Sequence, residues 1–235
     1  MSKKLKLYKQ RREFFSDPNL ALDEGVVAIS EEIDTELLFE AYSFGIFPWP
    51  HNEGAPLLWF CPSQRGILEF SDLHIARSLD KAWRNCSYSF SFNKAFDLVV
   101  EKCAFAGRPN QSGTWITPQM RKAYNRFHQQ GYAHSIECWE GESLIGGIYG
   151  VYVAGLFSGE SMFYTKPNAS KFCLLQLIQS LQANGLSWMD IQMLTPHMEV
   201  MGAKTIRRKK FLDKLTQAKR QARPLVLEPN PRVFG

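Results

Sequence analysis

Two polar side chains with a spacing suited to chemistry lie in one predicted strand. Asp190 and Gln192 interrupt an apolar run over residues 186–194 and stand two positions apart. Because side chains alternate along a strand, both should point to the same face, where unpartnered polar groups are costly to bury. A carboxylate can take up a proton, directly or through water, whereas an amide has no useful basicity and can only orient a reacting group. The pair therefore indicates either a polar site or a structural hydrogen bond.

Glu160 is a second candidate carboxylate. It follows Gly159 at a predicted strand turn, where the alternative is an exposed loop carboxylate. Ser161 beside it has no His–Asp support in the sequence, so a serine nucleophile is not expected. The five histidines show no ligand spacing and the five cysteines contain no C-x-x-C pair. We therefore expect neither a metal site nor a disulfide framework.

The sequence pattern around these residues predicts both helices and strands, and so an α/β (α+β) fold. Thr35 is a candidate N-cap for a first helix. The aromatic and proline segments 45–50 and 57–62 suit a rigid loop platform better than regular strands. Antiparallel strands followed by a helix and a further strand predict a mixed sheet with helices on its faces. We expect strands over residues 134–139, 144–153, 156–164 and 186–194, and helices over residues 35–44, 71–84, 93–104, 117–131, 168–185, 195–201 and from about 207.

Basic residues are concentrated at the two ends of the chain. The 28 Lys and Arg exceed the 23 Asp and Glu only mildly, but they crowd residues 1–12 and 204–223. Such clusters are either solvated faces or surfaces that bind phosphates. The N-terminal segment leads into no apolar core, and no run is long and apolar enough to cross a membrane. We therefore expect a cytoplasmic protein.

Several short segments occur in an order that resembles one known family, the leucyl/phenylalanyl-tRNA–protein transferases. The resemblance runs from about residue 45 to the basic C-terminal helix. Any one segment is weakly specific, but their order over this length is specific. The segments are Phe47-Pro48-Trp49, Gly113-Thr114-Trp115-Ile116-Thr117, Ala133-His134-Ser135-Ile136-Glu137, Gly146-Gly147-Ile148-Tyr149-Gly150, Gly159-Glu160-Ser161-Met162-Phe163, Asn168-Ala169-Ser170-Lys171 and Asp190-Ile191-Gln192.

The resemblance implies a fold and a reaction. The fold would be a small N-terminal domain, residues 1–66, beside a larger GNAT-like acyltransferase domain, residues 67–235. The reaction would move leucine or phenylalanine, and less readily methionine, from aminoacyl-tRNA to the α-amino group of proteins that begin with Arg or Lys. Such proteins are thereby marked for degradation by the N-end rule. The family implies a monomer that needs neither a metal nor a coenzyme and acts away from membranes.

The resemblance also assigns roles to the candidate residues. Gln192 would accept a hydrogen bond from the attacking amine and orient it, with Asp190 behind it as a support or proton acceptor. Glu160 would hold the ammonium group of the substrate or the ribose 2′-hydroxyl. Because a free α-amine has a pKa near 8, about a tenth is neutral at pH 7, so positioning and charge stabilisation matter most. Glu160 and Asp190 could also pair with the basic side chain of the acceptor.

The resemblance also matches apolar, tryptophan and basic positions outside the catalytic residues. By spacing alone, apolar residues such as these are more often ordinary core. The alternative for the tryptophans is a loop anchor, and for the basic residues it is a solvated face. Thr195 stands where the family often has asparagine, so no direct substrate role is assigned to it. The resemblance implies an amino-acid pocket of Ile148, Phe157, Met162, Leu174, Leu177 and Ile191, contacts from Trp49 and Trp115 to the terminal adenosine, and tRNA contacts from Lys204, Arg207, Arg208, Lys209 and Lys210.

Two other function classes stay open on the residues alone. One is another GNAT-like acyltransferase, such as a cell-wall aminoacyl ligase or an acetyl-CoA enzyme. An acetyl-CoA enzyme should have a glycine-rich pyrophosphate loop before a helix, whereas Gly146 and Gly147 lie within a predicted strand. The other is a non-enzymatic RNA-binding protein, which would explain the basic helix but gives no reason for Asp190 and Gln192 on one face.

Overall fold

The computed structural model describes residues 14–15, 17–21, 24–50, 56–106 and 116–229 of the 235-residue chain. The basic residues at positions 1–12 and Trp115, which the sequence analysis singled out, lie outside the described residues.

The N-terminal part forms a three-stranded antiparallel sheet and one helix. The strands are β1 (Val26–Ser30), β2 (Phe47–Pro50) and β3 (Leu57–Phe60), with β3 in the centre, and the helix is α1 (Thr35–Ser43). The prediction of a loop platform is therefore wrong for residues 47–50 and 57–60, which are strands. Prolines fit β2 because it is an edge strand, paired on one side only, where a missing N–H is tolerated.

The N-cap of helix α1 lies one residue earlier than Thr35, the cap assigned from sequence. The Asp34 carboxylate accepts hydrogen bonds from the backbone N–H groups of Glu36 and Leu37 at 3.0 and 2.8 Å. Asp34 is therefore the N-cap, and Thr35 is the first helical residue.

A seven-stranded mixed sheet makes up the larger part of the fold, as the sequence predicts. Its strand order is β10-β4-β9-β8-β7-β6-β5, and every neighbouring pair is antiparallel except β8 and β9, which are parallel. The strands are β4 (Gln64–Glu69), β5 (Ser89–Phe92), β6 (Ala133–Glu140), β7 (Ser143–Val153), β8 (Leu156–Tyr164), β9 (Trp188–Gln192) and β10 (Lys204–Arg207).

Helices cover the sheet close to where the apolar patterns place them. Two begin later than expected: Phe70–Asp72 is a short 3₁₀ helix before α2, and Asn93 has a φ of 59° and so lies in a turn before α3 rather than capping it. Thr117 and Thr195 do cap the helices that follow them. The helices are α2 (Arg77–Arg84), α3 (Phe96–Phe105), α4 (Pro118–Gln129), α5 (Ala169–Ala183), α6 (Pro196–Val200) and α7 (Arg208–Arg220).

The N-terminal sheet and the large sheet share one hydrophobic core. Leu38 of α1 and Trp59 of β3 belong to the same buried cluster as Tyr124 of α4 and Tyr149 of β7. A second cluster lies under α5, where Leu174, Leu177 and Ile178 are fully buried. This packing brings α1 and β2 close to the centre of the large sheet. A domain boundary at residue 66 stays a prediction.

Candidate functional site

A pocket opens where the two parallel strands of the large sheet part. Ser158 of β8 pairs with Asp190 of β9, and beyond this pair a cavity of about 330 Å³ separates the strands. Apolar side chains, four of them methionines, form most of its wall. The lining residues are Trp49, Ile148, Gly159, Glu160, Ser161, Met162, Leu174, Met189, Ile191, Gln192, Met193, Thr195, His197 and Met198.

Gln192 stands at the polar end of this pocket in an unusual backbone conformation. Its φ of 62° lies in the left-handed region, which few residues other than glycine adopt. Its backbone N–H donates to Asp190 Oδ1 at 2.9 Å, and its side-chain Nε2 donates to Glu160 Oε1 at 2.6 Å. Because the N–H₂ end of the amide is directed at Glu160, its oxygen is the atom left to accept a hydrogen bond from a ligand.

Glu160 is half-buried and accepts hydrogen bonds from three neutral groups. Tyr42 donates to Oε1 at 2.6 Å and Tyr124 to Oε2 at 3.1 Å, in addition to Gln192. Burial raises the pKa of Glu160 to about 7. The charge of Asp190 raises it too, and the three hydrogen bonds oppose this. A carboxyl group with a pKa near 7 can exchange a proton at physiological pH.

Asp190 lies behind the pocket, fully buried and paired with Arg65. The Nε and Nη2 atoms of Arg65 donate to its two oxygens at 2.8 and 2.7 Å, and the two side chains are 1% and 0% exposed. Ser158 Oγ also donates to Oδ2, at 3.0 Å. Asp190 is therefore inaccessible to the basic side chain of an acceptor, and its contact with Gln192 is through the backbone N–H.

Arg65 ties three parts of the chain together at this point. Its guanidinium lies over the rings of Phe47 and Phe211, 4.6 and 4.4 Å from their centroids. Its Nη1 atom donates to the carbonyl oxygen of Gly45 at 3.0 Å. Asp190 is consequently fixed to β2, to the turn that precedes it and to α7.

The shared face predicted for Asp190 and Gln192 agrees with their contacts. Their side chains bond to Ser158 and Glu160, which are also two residues apart, on the neighbouring strand β8. The alternation that brings both polar groups to one side was readable from sequence. The sequence did not show that Asp190 is buried against the Arg65 cation, whereas Gln192 lines the pocket.

Most of the predicted pocket residues line the cavity, but two do not. Ile148, Met162, Leu174 and Ile191 are in its wall, together with Trp49, which the resemblance assigns to the terminal adenosine. Phe157 and Leu177 are fully buried in the second hydrophobic cluster instead. Phe157 precedes the point where β8 and β9 part, and Leu177 lies nearly one turn deeper along α5 than Leu174.

Sequence reasoning missed the residues that hold the polar end of the pocket. Tyr42, Tyr124, Arg65 and Ser158 lie on four different elements, and none has a local spacing that links it to Glu160 or Asp190. It also missed the pocket walls after Gln192, among them Met193, His197 and Met198. No local signal marks Arg65, because the strand around it, Gln64–Glu69, is itself half polar.

Thr195 has a structural role in the position where the family often has asparagine. Its Oγ1 accepts a hydrogen bond from the backbone N–H of Met198 at 3.3 Å and so caps α6. It also lines the pocket. The residue therefore fixes the short helix that forms one side of the cavity.

The five basic residues assigned to tRNA occupy different environments. Arg207, Lys209 and Lys210 are exposed at the start of α7. Lys204 is 45% exposed and pairs with Asp72 at 2.6 Å. Arg208 is buried, and its Nη1 atom donates to the carbonyl oxygens of Pro18 and Ala21, so its charge is not presented on the same surface.

The described part of the chain contains neither a membrane-spanning helix nor a metal-binding cluster. None of its helices combines the length and hydropathy that a membrane crossing requires. The same residues contain no group of three or more His, Cys, Asp or Glu side chains placed to hold a metal ion.

Comparison with solved structures gives a weak likeness only. The structure of L-PGS from Bacillus licheniformis is 15% identical, with a TM-score of 0.40, and the match covers 57% of this chain and 48% of that one. A likeness at this level carries no argument, so the GNAT-like assignment stays a prediction.

Comparison with sequence families is decisive. Residues 67–216 match the family model described as leucyl/phenylalanyl-tRNA protein transferase, and residues 31–63 match the model of its N-terminal domain. Leucyl/phenylalanyl-tRNA–protein transferases from Anaeromyxobacter sp. (strain Fw109-5) and Shewanella denitrificans are each 43% identical to this chain. The matches cover 90% and 89% of this chain and 90% and 86% of those proteins. The chain therefore belongs to the leucyl/phenylalanyl-tRNA protein transferase family and is an aminoacyltransferase.

Proposed function

We propose that this chain moves leucine or phenylalanine, and less readily methionine, from aminoacyl-tRNA to the α-amino group of proteins that begin with Arg or Lys. The observation that carries the proposal is the pocket between β8 and β9. It has an apolar wall of a size suited to one side chain and ends at the paired polar groups of Gln192 and Glu160.

The apolar wall accounts for the choice of amino acid. Met162, Met189, Met193 and Met198 supply flexible thioether side chains, which adapt to either a branched aliphatic group or an aromatic ring. A charged or strongly polar side chain would have to lose its hydration there without gaining a partner. Apolar amino acids of moderate size are therefore the expected donors.

The polar end accounts for the reaction. The aminoacyl ester is already activated, so the enzyme must mainly bring a neutral amine to its carbonyl carbon. Glu160 holds the N–H₂ end of the Gln192 amide, and the amide oxygen accepts an N–H of the amine and aims its lone pair. The N–C bond forms, the bond from carbon to the ribose 3′-oxygen breaks, and that oxygen leaves with a proton.

In this proposal Asp190 is a positioning residue. It does not line the cavity, and Arg65 covers both of its oxygens. Its contribution is to hold the backbone N–H of Gln192 and thereby the left-handed turn that places the amide at the pocket. This is a narrower role than the proton acceptor considered from the sequence.

The basic start of α7 is proposed to contact tRNA phosphates. Arg207, Lys209 and Lys210 are exposed there, and Lys204 on β10 is adjacent in sequence. Arg208 is excluded from this surface because it binds backbone carbonyls. Trp49 lines the pocket, which is consistent with contact to the terminal adenosine.

The acceptor specificity is proposed from the family resemblance. Of the two carboxylates considered, only Glu160 lines the cavity, and it already accepts three hydrogen bonds. Because aminoacyl-tRNA is made in the cytoplasm, we also propose a cytoplasmic location. We propose further that the chain is a monomer with an N-terminal domain over residues 1–66 and a catalytic domain, GNAT-like in type, over residues 67–235.

A transfer assay tests the proposal directly. The full chain is incubated with radiolabelled Leu-tRNA and peptides that differ only in their first residue, Arg or Ala. We expect label in the Arg peptide with at least a tenfold higher kcat/KM, because hydrogen bonds between charged groups contribute about 1.5–3 kcal/mol. No label in any peptide would refute the transfer activity. Equal labelling of both peptides would refute the acceptor specificity alone.

A further inference from the structure

Tyr42, Tyr124 and Glu160 form a cluster beside the pocket in which the polar oxygens of each side chain contact both of the others. Tyr42 of α1 donates to Glu160 at 2.6 Å, Tyr124 of α4 donates to Glu160 at 3.1 Å, and the two hydroxyl oxygens are 2.7 Å apart. The two tyrosine side chains are 5% and 0% exposed. Glu160 is the member that reaches the cavity.

The number of hydrogens in this cluster depends on Glu160. Each phenol carries one hydrogen, and an ionised carboxylate carries none. With Glu160 ionised, two hydrogens are available for three short contacts, so one contact between oxygens has no hydrogen in it. When Glu160 is protonated, all three contacts can be hydrogen bonds at once. The cluster therefore has a place for one additional proton.

We propose that Glu160 accepts the proton of the attacking amine. Tyr42 and Tyr124 are positioning residues, whose hydroxyls donate hydrogen bonds to the Glu160 carboxylate and hold it at the pocket. The inference rests on the proposed function, because it assigns the proton of that reaction. Asp190 is not the acceptor, since it is buried under Arg65 and outside the cavity wall.

The step balances in atoms and charge. The amine nitrogen uses its lone pair to form a bond to the ester carbonyl carbon, and its N–H proton passes to the Glu160 carboxylate. The bond between that carbon and the ribose 3′-oxygen then breaks, with its electron pair remaining on oxygen. Glu160 returns the same proton to this oxygen and is again a carboxylate.

The groups around Glu160 set the pH at which it can accept a proton. Burial and the charge of Asp190 favour the protonated form, whereas Tyr42, Tyr124 and Gln192 stabilise the carboxylate. The Arg65 cation on β4 also interacts with the charge of Glu160.

The tyrosines themselves remain hydrogen-bond donors. Burial, and then the negative charge of Glu160, raise the pKa of Tyr42 well above its usual value. Burial and Glu160 have the same effect on the pKa of Tyr124, whose ring packs edge-on against Tyr149 at 5.6 Å. Because hydrogen bonds to a charged carboxylate are stronger than those between neutral groups, loss of either hydroxyl destabilises the ionised form more and should raise the pH at which Glu160 ionises.

The experiment measures single-turnover transfer from Leu-tRNA to an Arg-initiated peptide as a function of pH. In the unaltered protein, the rate should rise as the pH passes about 7. Tyr42→Phe and Tyr124→Phe should each move this rise to higher pH by about one unit or more, because a hydrogen bond to a charged group is worth at least that much. At high pH both variants should regain a rate within a few-fold of the original.

Matched controls separate this role from general damage. Tyr152→Phe also removes a tyrosine hydroxyl, one that donates an exposed 2.8 Å hydrogen bond to the Arg223 carbonyl oxygen outside the pocket wall. The pH profile of this variant should not change. Glu160→Gln should abolish the rise near pH 7 and leave only the titration of the peptide amine near pH 8. Identical profiles in the two tyrosine variants and the unaltered protein would overturn the proposal.

A second measurement needs no activity. Infrared difference spectra of the protein against Glu160→Gln report the protonated carboxyl band directly. That band should disappear with a midpoint near pH 7, and at higher pH in Tyr42→Phe. An inactive protein whose band titrates in this way would refute the transfer function but leave the cluster's proton site in place, whereas transfer without the tyrosine-dependent shift would refute only the proton assignment.

Discussion

Replacing Arg65 by methionine is expected to destabilise the protein by about 3–5 kcal/mol, because it leaves a buried carboxylate without a counter-charge. The structure supports this magnitude. The variant loses two hydrogen bonds to Asp190, at 2.8 and 2.7 Å, each worth about 1.5–3 kcal/mol when a charged group is involved. Among the described residues, the Ser158 hydroxyl and the Gln192 N–H would remain as donors to the carboxylate.

A double replacement tests whether the unpaired charge is the cause. Arg65→Met together with Asp190→Leu removes both charges, and such exchanges of a buried pair for apolar groups are often close to neutral. Most of the lost stability should therefore return. Arg84→Met, which breaks the exposed Asp80–Arg84 pair, is the control and should cost about 0.5 kcal/mol or less.

Urea unfolding followed by tryptophan fluorescence measures these differences. A single Arg65→Met variant within about 1 kcal/mol of the unaltered protein would refute the reasoning, as would a double variant less stable than the single one. The double variant also separates stability from catalysis. It should fold but transfer slowly, because nothing then holds the N–H of Gln192.

Three further changes test the pocket and the basic surface. Gln192→Ala should lower the maximal transfer rate about 100-fold, the usual size for a catalytic polar group, with little change in aminoacyl-tRNA affinity. Met162→Ala enlarges the pocket and should shift the preference about tenfold toward Phe-tRNA, measured as a ratio of kcat/KM values. Replacing Arg207, Lys209 and Lys210 together by alanine should reduce the slope of log affinity against log salt by about two to three.

Each of these has an outcome that contradicts it. Gln192→Ala with unchanged turnover would place the chemistry elsewhere. Equal losses with Leu-tRNA and Phe-tRNA in Met162→Ala would assign that residue to the core. An unchanged salt slope in the triple variant would make the start of α7 a solvated face, and a change for only one of the two tRNAs would mean that the amino acid, not the phosphates, is being read.

The parts of the fold that were predictable are those with local patterns. Strands β6, β7 and β8 follow one another through short turns, and α5 carries a continuous apolar stripe, so their order and type could be read directly. Strand β9 was found but ends at Gln192, two residues early, because the positive φ there stops the alternation. Strands β4 and β10 were not found, since they are short and pair only with distant parts of the chain.

The missed site residues share a physical reason. Arg65 contacts Asp190 across 125 positions, and Tyr42 contacts Glu160 across 118. Contacts between residues so far apart in the chain produce no local sequence pattern. A tyrosine on an amphipathic helix is also equally well explained as a core residue. Asp190 and Gln192 could be found because a polar group in an apolar strand is conspicuous where it stands, without knowledge of its partners.

The two carboxylates at the pocket illustrate why residue type alone could not assign their roles. Asp190 is matched by a guanidinium that binds both of its oxygens, so its charge is neutralised by a fixed cation. Glu160 is surrounded by neutral donors and by the charge of Asp190, and its pKa is raised to about 7 by burial. A carboxyl group with this pKa can gain and lose a proton near neutral pH. The difference arises because β4 brings Arg65 to Asp190, whereas α1 and α4 bring the hydroxyls of Tyr42 and Tyr124 to Glu160. The different roles of the two carboxylates therefore depend on how the N-terminal part of the chain packs against the large sheet.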